Sequence, residues 1–264
     1  MIRTYALALF AALLICLSGC GPNDAPGMKD IRQAREAYSK GFFLEAEKGY
    51  EHYLQDQPQG KFREEAWERL AEISIAYKGD LERAVVLLEA MYLELGRDNE
   101  LAWKVMSQLG DVYDQLGNWA KALESYEKCL AHAAGDPKAV ADTQLRMAKL
   151  YRRQGNFDLV AATLENCADT ASDPQARARC LYELAQSYSF INSWNQAKKS
   201  LERLLVLDGA DEEIRALGTF LLADIYEAER EYAKARELLM SIRETYPNPK
   251  VVESRLNSLD AHAQ

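Results

Sequence analysis

Gly117-Asn-Trp-Ala-Lys-Ala122 is one of six related stretches in a chain of 264 residues. The others are Gly41-Phe-Phe-Leu-Glu-Ala46, Gly79-Asp-Leu-Glu-Arg-Ala84, Gly155-Asn-Phe-Asp-Leu-Val160, Asn192-Ser-Trp-Asn-Gln-Ala197 and Arg230-Glu-Tyr-Ala-Lys-Ala235. Their first positions follow one another at intervals of 38, 38, 38, 37 and 38 residues. A period this regular marks an array of similar structural units rather than one irregular core.

Each position of the stretch has a physical task. The first is Gly or Asn in five copies, residues that enter the left-handed conformation cheaply and end a helix in a tight turn. Arg230 departs from that rule, so strain or a looser turn is expected there. Two residues on stands a large apolar side chain (Phe43, Leu81, Trp119, Phe157, Trp194 or Tyr232), read as a plug between paired helices. Five residues on stands Ala, or Val160 once, where two helices must come close. Four before the turn comes Tyr113, Tyr151, Tyr188 or Tyr226, and seven before it a small residue, as at Ala34, Gly110 and Ala148. The second copy has one extra residue ahead of its turn, which displaces Leu70 and Ala71 by one.

Outward from each turn, apolar residues recur three and four apart, the spacing of amphipathic helices. Leu109, Val112 and Leu116 precede the turn at Gly117, while Leu123, Tyr126, Cys129 and Leu130 follow it. Asp136-Pro137 and Asp173-Pro174 read as helix starts, an acidic cap followed by Pro in the first turn. Asn248-Pro249 starts a last helix through Val251, Arg255 and Leu259. No segment reads as a strand. Six helical hairpins over 29–248 and a capping helix over 249–264 are expected.

These residues resemble the tetratricopeptide repeat family. The third copy carries the likeness best, with Leu109-Gly110, Tyr113, Gly117, Ala122 and Tyr126 at the family spacing, and the first matches at Ala34, Gly41, Ala46, Tyr50 and Pro58. The copies are about four residues longer than the family's usual 34. The resemblance implies an all-α, right-handed superhelical solenoid whose hairpins bury their apolar faces only against neighbours.

The first 28 residues read differently. Arg3 is a positive n-region, and Ala6 to Leu17 form an apolar run too short for a confident membrane span of about 20 residues. Leu17-Ser18-Gly19-Cys20 resembles the bacterial lipobox, which implies cleavage after Gly19 and lipid on Cys20. The alternative is a plain secreted protein cleaved at the same point. In lipoproteins of this kind Asp after the Cys favours inner-membrane retention; Gly21 here points to the outer membrane, with residues 20–28 as a tether and the repeats facing the periplasm.

Apolar residues make up 48% of the sequence and charged residues 28%, as in ordinary globular proteins, and the formal net charge is -9. That balance argues against a nucleic-acid partner. The three histidines, His52, His132 and His262, fall in no nucleophile, zinc or phosphate-loop motif. Cys129 and His132 are spaced i, i+3, but a zinc site needs more ligands. The reading is therefore of a protein that is no enzyme and needs no cofactor or metal. Cys129 and Cys167 hold equivalent places in successive repeats, too far apart to join. Cys167 and Cys180 lie on elements expected to pack together, so they form either a bridge or two buried thiols.

In the family, the face of each first helix lines a concave groove for peptides. Carried over by register, that face holds Ser107, Gln108, Asp111 and Asp114 in the third copy and Leu145, Arg146, Lys149, Arg152 and Arg153 in the fourth. The fifth offers Tyr182, Glu183, Gln186 and Phe190, the sixth Phe220, Leu221 and Asp224. A basic patch beside aromatics would suit an acidic or carboxylate-ended peptide. It could equally be a charged face neutralised by neighbouring acids. The family's two-carboxylate clamp is not reproduced, since Leu145 stands where a Lys is expected. The layout of lipobox, tether and repeats is similar to lipoproteins that assemble outer-membrane β-barrels, and it implies a membrane-anchored protein–protein scaffold of the bacterial envelope. A pilotin-like role in secretin assembly and the docking of peptidoglycan enzymes are the alternatives.

Overall fold

The computed structural model describes residues 27–133 and 135–262. The signal segment, Cys20 and all but the end of the tether lie outside the described residues. What is described is helical throughout, with no strand among those residues. The helices are α1 (Met28–Ser39), α2 (Phe43–Asp56), α3 (Arg63–Glu72), α4 (Leu81–Leu95), α5 (Asn99–Gln115), α6 (Trp119–His132) and α7 (Pro137–Arg153). They continue as α8 (Phe157–Thr170), α9 (Pro174–Phe190), α10 (Trp194–Leu205), α11 (Glu212–Ala228), α12 (Tyr232–Ser241) and α13 (Pro249–His262). The chain divides after Met91 into two compact units.

All six hairpin turns share one backbone solution. Gly41, Gly79, Gly117 and Gly155 have φ between 65° and 77°, and Asn192 and Arg230 adopt 57° and 64°. In five turns the next amide reaches the carbonyl five residues back, as Asn118 N does to Tyr113 O (2.9 Å) and Glu231 N to Tyr226 O (2.8 Å). This satisfies carbonyls that a helix end would otherwise leave bare. Arg230 thus takes the same turn as the glycines and bears the Cβ clash they avoid.

The second turn, at Gly79, differs because of the extra residue. Between α3 and Gly79 the chain runs as a π-helical turn, Ile73–Lys78, and Asp80 N bonds Ser74 O, one residue further back than in the other copies. One added residue is what a π-turn absorbs, so the insertion is taken up without changing the turn at Gly79.

In the first unit Ile31, Ala46, Tyr50, Tyr53, Leu70, Ile73 and Leu87 form the core. Gly49 faces Ala34 so closely that a Cβ on it would lie 2.9 Å from the Ala34 Cβ. Glu47 is nearly buried, yet its carboxylate meets Lys78 Nζ at 3.0 and 3.1 Å and Arg83 Nε at 3.2 Å. A buried charge is tolerated only with such partners, and here they pin the π-turn to α2.

In the second unit each helix packs on the next, and the first helices of successive hairpins also touch: α5 with α7, α7 with α9, α9 with α11. The position five after each turn is wholly buried in every copy of both units, from Ala46 to Ala235. The plug position behaves otherwise. It opens the second helix, is half-buried in most copies, and at Trp119 is 42% exposed. At helix starts, Asp136 Oδ1 accepts from Lys138 N (2.9 Å) and Ala139 N (3.2 Å), and Asp173 Oδ2 from Ala176 N (2.9 Å). Asp98 caps α5 in the same way, through Leu101 N. The terminal helix α13 packs on α12, where Val252 and Leu259 join the core of Leu239 and Ile242.

One contact recurs between consecutive hairpins of this unit. Cys129 Sγ lies 3.3 Å from Thr143 Oγ1. One repeat later the equivalent residues are Cys167 and Cys180, joined as a disulfide with Cα atoms 5.9 Å apart. One repeat on again they are Leu204 and Gly218, where a Cβ on the glycine would stand 2.7 Å from Leu204 Cδ2.

Candidate functional site

The first-helix faces of α5, α7, α9 and α11 are the surface the sequence marked, and all lie in the second unit. Ten residues before each turn, Ser107 and Leu145 are 4% and 5% exposed. Both are nearly buried where the first helices touch, although Leu145 still lines a cavity on this face. Tyr182 and Phe220, in the same register, remain half-buried.

The basic patch is not a free one. Arg146 forms an ion pair with Asp111, whose other oxygen accepts from Tyr126 Oη at 2.8 Å. Burial pushes the Tyr126 phenol far above its usual range, so it stays a donor. Arg153 Nη1 meets Asp114 Oδ2 at 3.0 Å. Arg152 Nη2 meets Glu183 Oε2 and Ser187 Oγ, both at 2.8 Å. Arg146 and Arg153 reach back to the preceding repeat and Arg152 forward to the next, so these pairs bind repeat to repeat. Of the two readings the sequence left open at Arg146, Arg152 and Arg153, these pairs favour a charged face neutralised by neighbouring acids. Lys149 is different: it is exposed, and among the described residues no acid holds its ammonium.

The aromatics do not gather round the patch either. Phe190, 74% exposed, stacks on Phe157 with ring centres 5.6 Å apart, at the hairpin turns. Phe220 stacks on Tyr246 at 4.8 Å. Gln186 Nε2 donates to Tyr182 Oη at 3.0 Å, and burial raises the Tyr182 pKa.

What the structure does gather is a polar cavity of about 440 Å³ between α5, α7 and α9, lined by Asp111, Asp114, Arg146, Lys149 and Arg153 among others. A second cavity, about 600 Å³, lies toward the amino ends of α7, α9 and α11. Both are lined by Asp142 and Arg179, an ion pair with 3.3 Å between Oδ1 and Nη1, so this pair is the partition between them. Neither Asp142 nor Arg179 was marked by the sequence reading. Their signal is an acid and a base 37 residues, one repeat, apart on successive first helices; Asp111 and Arg146, 35 apart, pair across repeats in a similar way.

Cys129 and His132 do not act together. Cys129 is wholly buried, its thiol pKa raised chiefly by that burial, and its Sγ meets Trp103 O at 3.4 Å as well as Thr143. His132 instead sits between Tyr92 Oη (Nε2, 3.0 Å) and Asn99 Oδ1 (Nδ1, 3.2 Å). No group of three or more metal-ligand residues occurs among the described residues, and no helix there is long and apolar enough to cross a membrane.

Residues 103–136 and 219–249 each match a tetratricopeptide repeat family model. No curated protein sequence matches the chain. Among solved structures, the C-terminal part of a tetratricopeptide repeat-containing protein from Cytophaga hutchinsonii is similar, with a TM-score of 0.64 and 17% identity over 95% of this chain and 93% of that one. The apo form of RapI gives 0.63 at 14% identity, over 91% and 72%. BtubC from P. vanneervenii gives 0.57 at 19% identity, over 88% and 89%. At these identities the likeness is one of fold: helical hairpins of the tetratricopeptide type.

Proposed function

We propose that this chain is a membrane-anchored, non-catalytic scaffold of the bacterial cell envelope, holding other proteins against the first-helix face of its second unit. The observation that carries this is the pair of adjoining cavities on that face. On this face charged side chains from three successive first helices line open space. The carboxylates of the first cavity are held by arginines, an arrangement that shapes a surface rather than supplying a general acid or base. The lipobox at Leu17 to Cys20 supports a lipid anchor, and Gly21 supports the outer membrane with the repeats in the periplasm. By its layout the protein is a candidate assembly factor for outer-membrane proteins.

The test joins location and partner. The full chain and a Cys20→Ala variant are expressed in a Gram-negative cell, fractionated, and crosslinked gently before purification. The full chain is expected in outer-membrane fractions with β-barrel assembly subunits, and the variant in the soluble periplasm. Recovery of a secretin ring or of peptidoglycan enzymes instead would reassign the role within the envelope. A chain that stays soluble and captures no protein overturns the proposal.

A further inference from the structure

The two cavities differ in charge. In the first, Asp111 and Asp114 hold Arg146 and Arg153, so Lys149 is its surplus charge. In the second, with the Asp142–Arg179 partition set aside, Asp173, Asp211 and Glu213 outnumber Lys138, and Ile214 and Leu217 add apolar lining. Asp173 is engaged in capping α9, and Asp211 accepts from Gln175 Nε2 at 2.7 Å. Glu213 is exposed and, among the described residues, no base holds it. The groove thus carries an unengaged cation, Lys149, in one compartment, while in the other the acids outnumber Lys138 and stand beside aliphatic side chains. Arg179, the cation of the partition, is 55% exposed in its side chain, so a guest lying across it remains in contact with both.

We propose that the two cavities form one groove for an extended partner segment of fixed charge order: a carboxylate over Lys149 and, past the Asp142–Arg179 partition, a cationic side chain next to an aliphatic one over Glu213, Ile214 and Leu217. This rests on the scaffold reading and specifies its guest. Opposed charges at the two ends set the register of the guest and reject its reverse, because like charges facing each other in a groove are costly. A uniformly acidic peptide would meet Glu213, and a uniformly basic one Lys149. The groove therefore selects a segment of mixed charge.

The test uses dye-labelled synthetic peptides and fluorescence anisotropy on the purified full chain. One peptide places Glu at one end and Lys-Leu at the other, a second reverses the chain direction, and a third replaces Glu and Lys by Gln. One of the two charged peptides is expected to bind about tenfold more tightly than the Gln peptide. Lys149→Glu and Glu213→Lys should each abolish that advantage. A peptide with Glu in place of its Lys should regain binding to Glu213→Lys. Both positions are exposed, and circular dichroism of the variants checks that the fold is intact. Equal binding of charged and Gln peptides, no binding to the unaltered chain, or indifference to both reversals overturns the proposal. If envelope partners still crosslink to both variants, the groove assignment falls and the scaffold reading stands. If the unaltered chain captures none, the scaffold reading itself falls.

Discussion

At the scale of single residues, the repeats differ where one side chain has displaced another. Seven positions before the turn most copies have a buried Ala, but the third has Gly110, because the Tyr126 ring occupies the space: a Cβ there would lie 2.3 Å from Tyr126 Cε1. Gly110→Ala should therefore lower stability by about 2 kcal/mol, read from urea unfolding, although Ala is the better helix former. Arg230→Gly should do the opposite and add about 1 kcal/mol, since it removes the Cβ from a turn with φ of 64°. Thr143→Cys should join Cys129, already 3.3 Å from the hydroxyl, and raise the unfolding midpoint in step with a loss of two hydrogens in the intact mass, for a gain of about 1–3 kcal/mol. The turn glycines were readable in the sequence because left-handed backbone restricts residue choice. The fate of Arg146, Arg152 and Arg153 was not, because each finds its acid on another repeat, and the choice among nearby acids depends on stacking.

At the scale of elements, hairpins and caps could be read from spacing alone, as Asp136-Pro137, Asp173-Pro174 and Pro249 show. The displaced Leu70 and Ala71 announced an anomaly without saying what form it would take. The π-turn over Ile73–Lys78 supplies the form. Removing Ser74, which is buried with its hydroxyl unbonded, should return Leu70, Ala71 and Ile73 to the register of the other copies. The expected result is a regular helix, with helical content retained and stability within about 1 kcal/mol of the parent. Collapse of the far-ultraviolet signal would show that the π-turn is required. The groove was half readable at this scale. Its register holds Lys149 and Leu145, which line the first cavity, but Tyr182 lines neither cavity and Ser107 is buried under neighbouring helices that a linear pattern does not display.

At the scale of the whole molecule, the repeated burial of tyrosines has a pH consequence. Tyr50 is raised to about 12 by burial first and Glu65 second, and Tyr188 to about 12 by burial and its bond to Glu165. Tyr126, Tyr151, Tyr182 and Tyr246 shift in the same direction, each chiefly by burial. An unfolded chain releases tyrosine protons near pH 10, while the folded one keeps them. Their contribution is thus intact below about pH 10 and drains away as the pH rises toward 12. Circular dichroism and tyrosinate absorbance should change together in that window, and absorbance rising well before unfolding would refute the account.

The Cys167–Cys180 link has a further consequence under load, as on a protein tethered at one end and gripped at the other. The 13-residue separation it closes is withheld from extension, so a single oxidised molecule pulled from its ends should pay out about 40 Å less contour length than a reduced one. The α8–α9 junction would then act as a mechanical stop, and the force trace of an oxidised chain would show it as missing length.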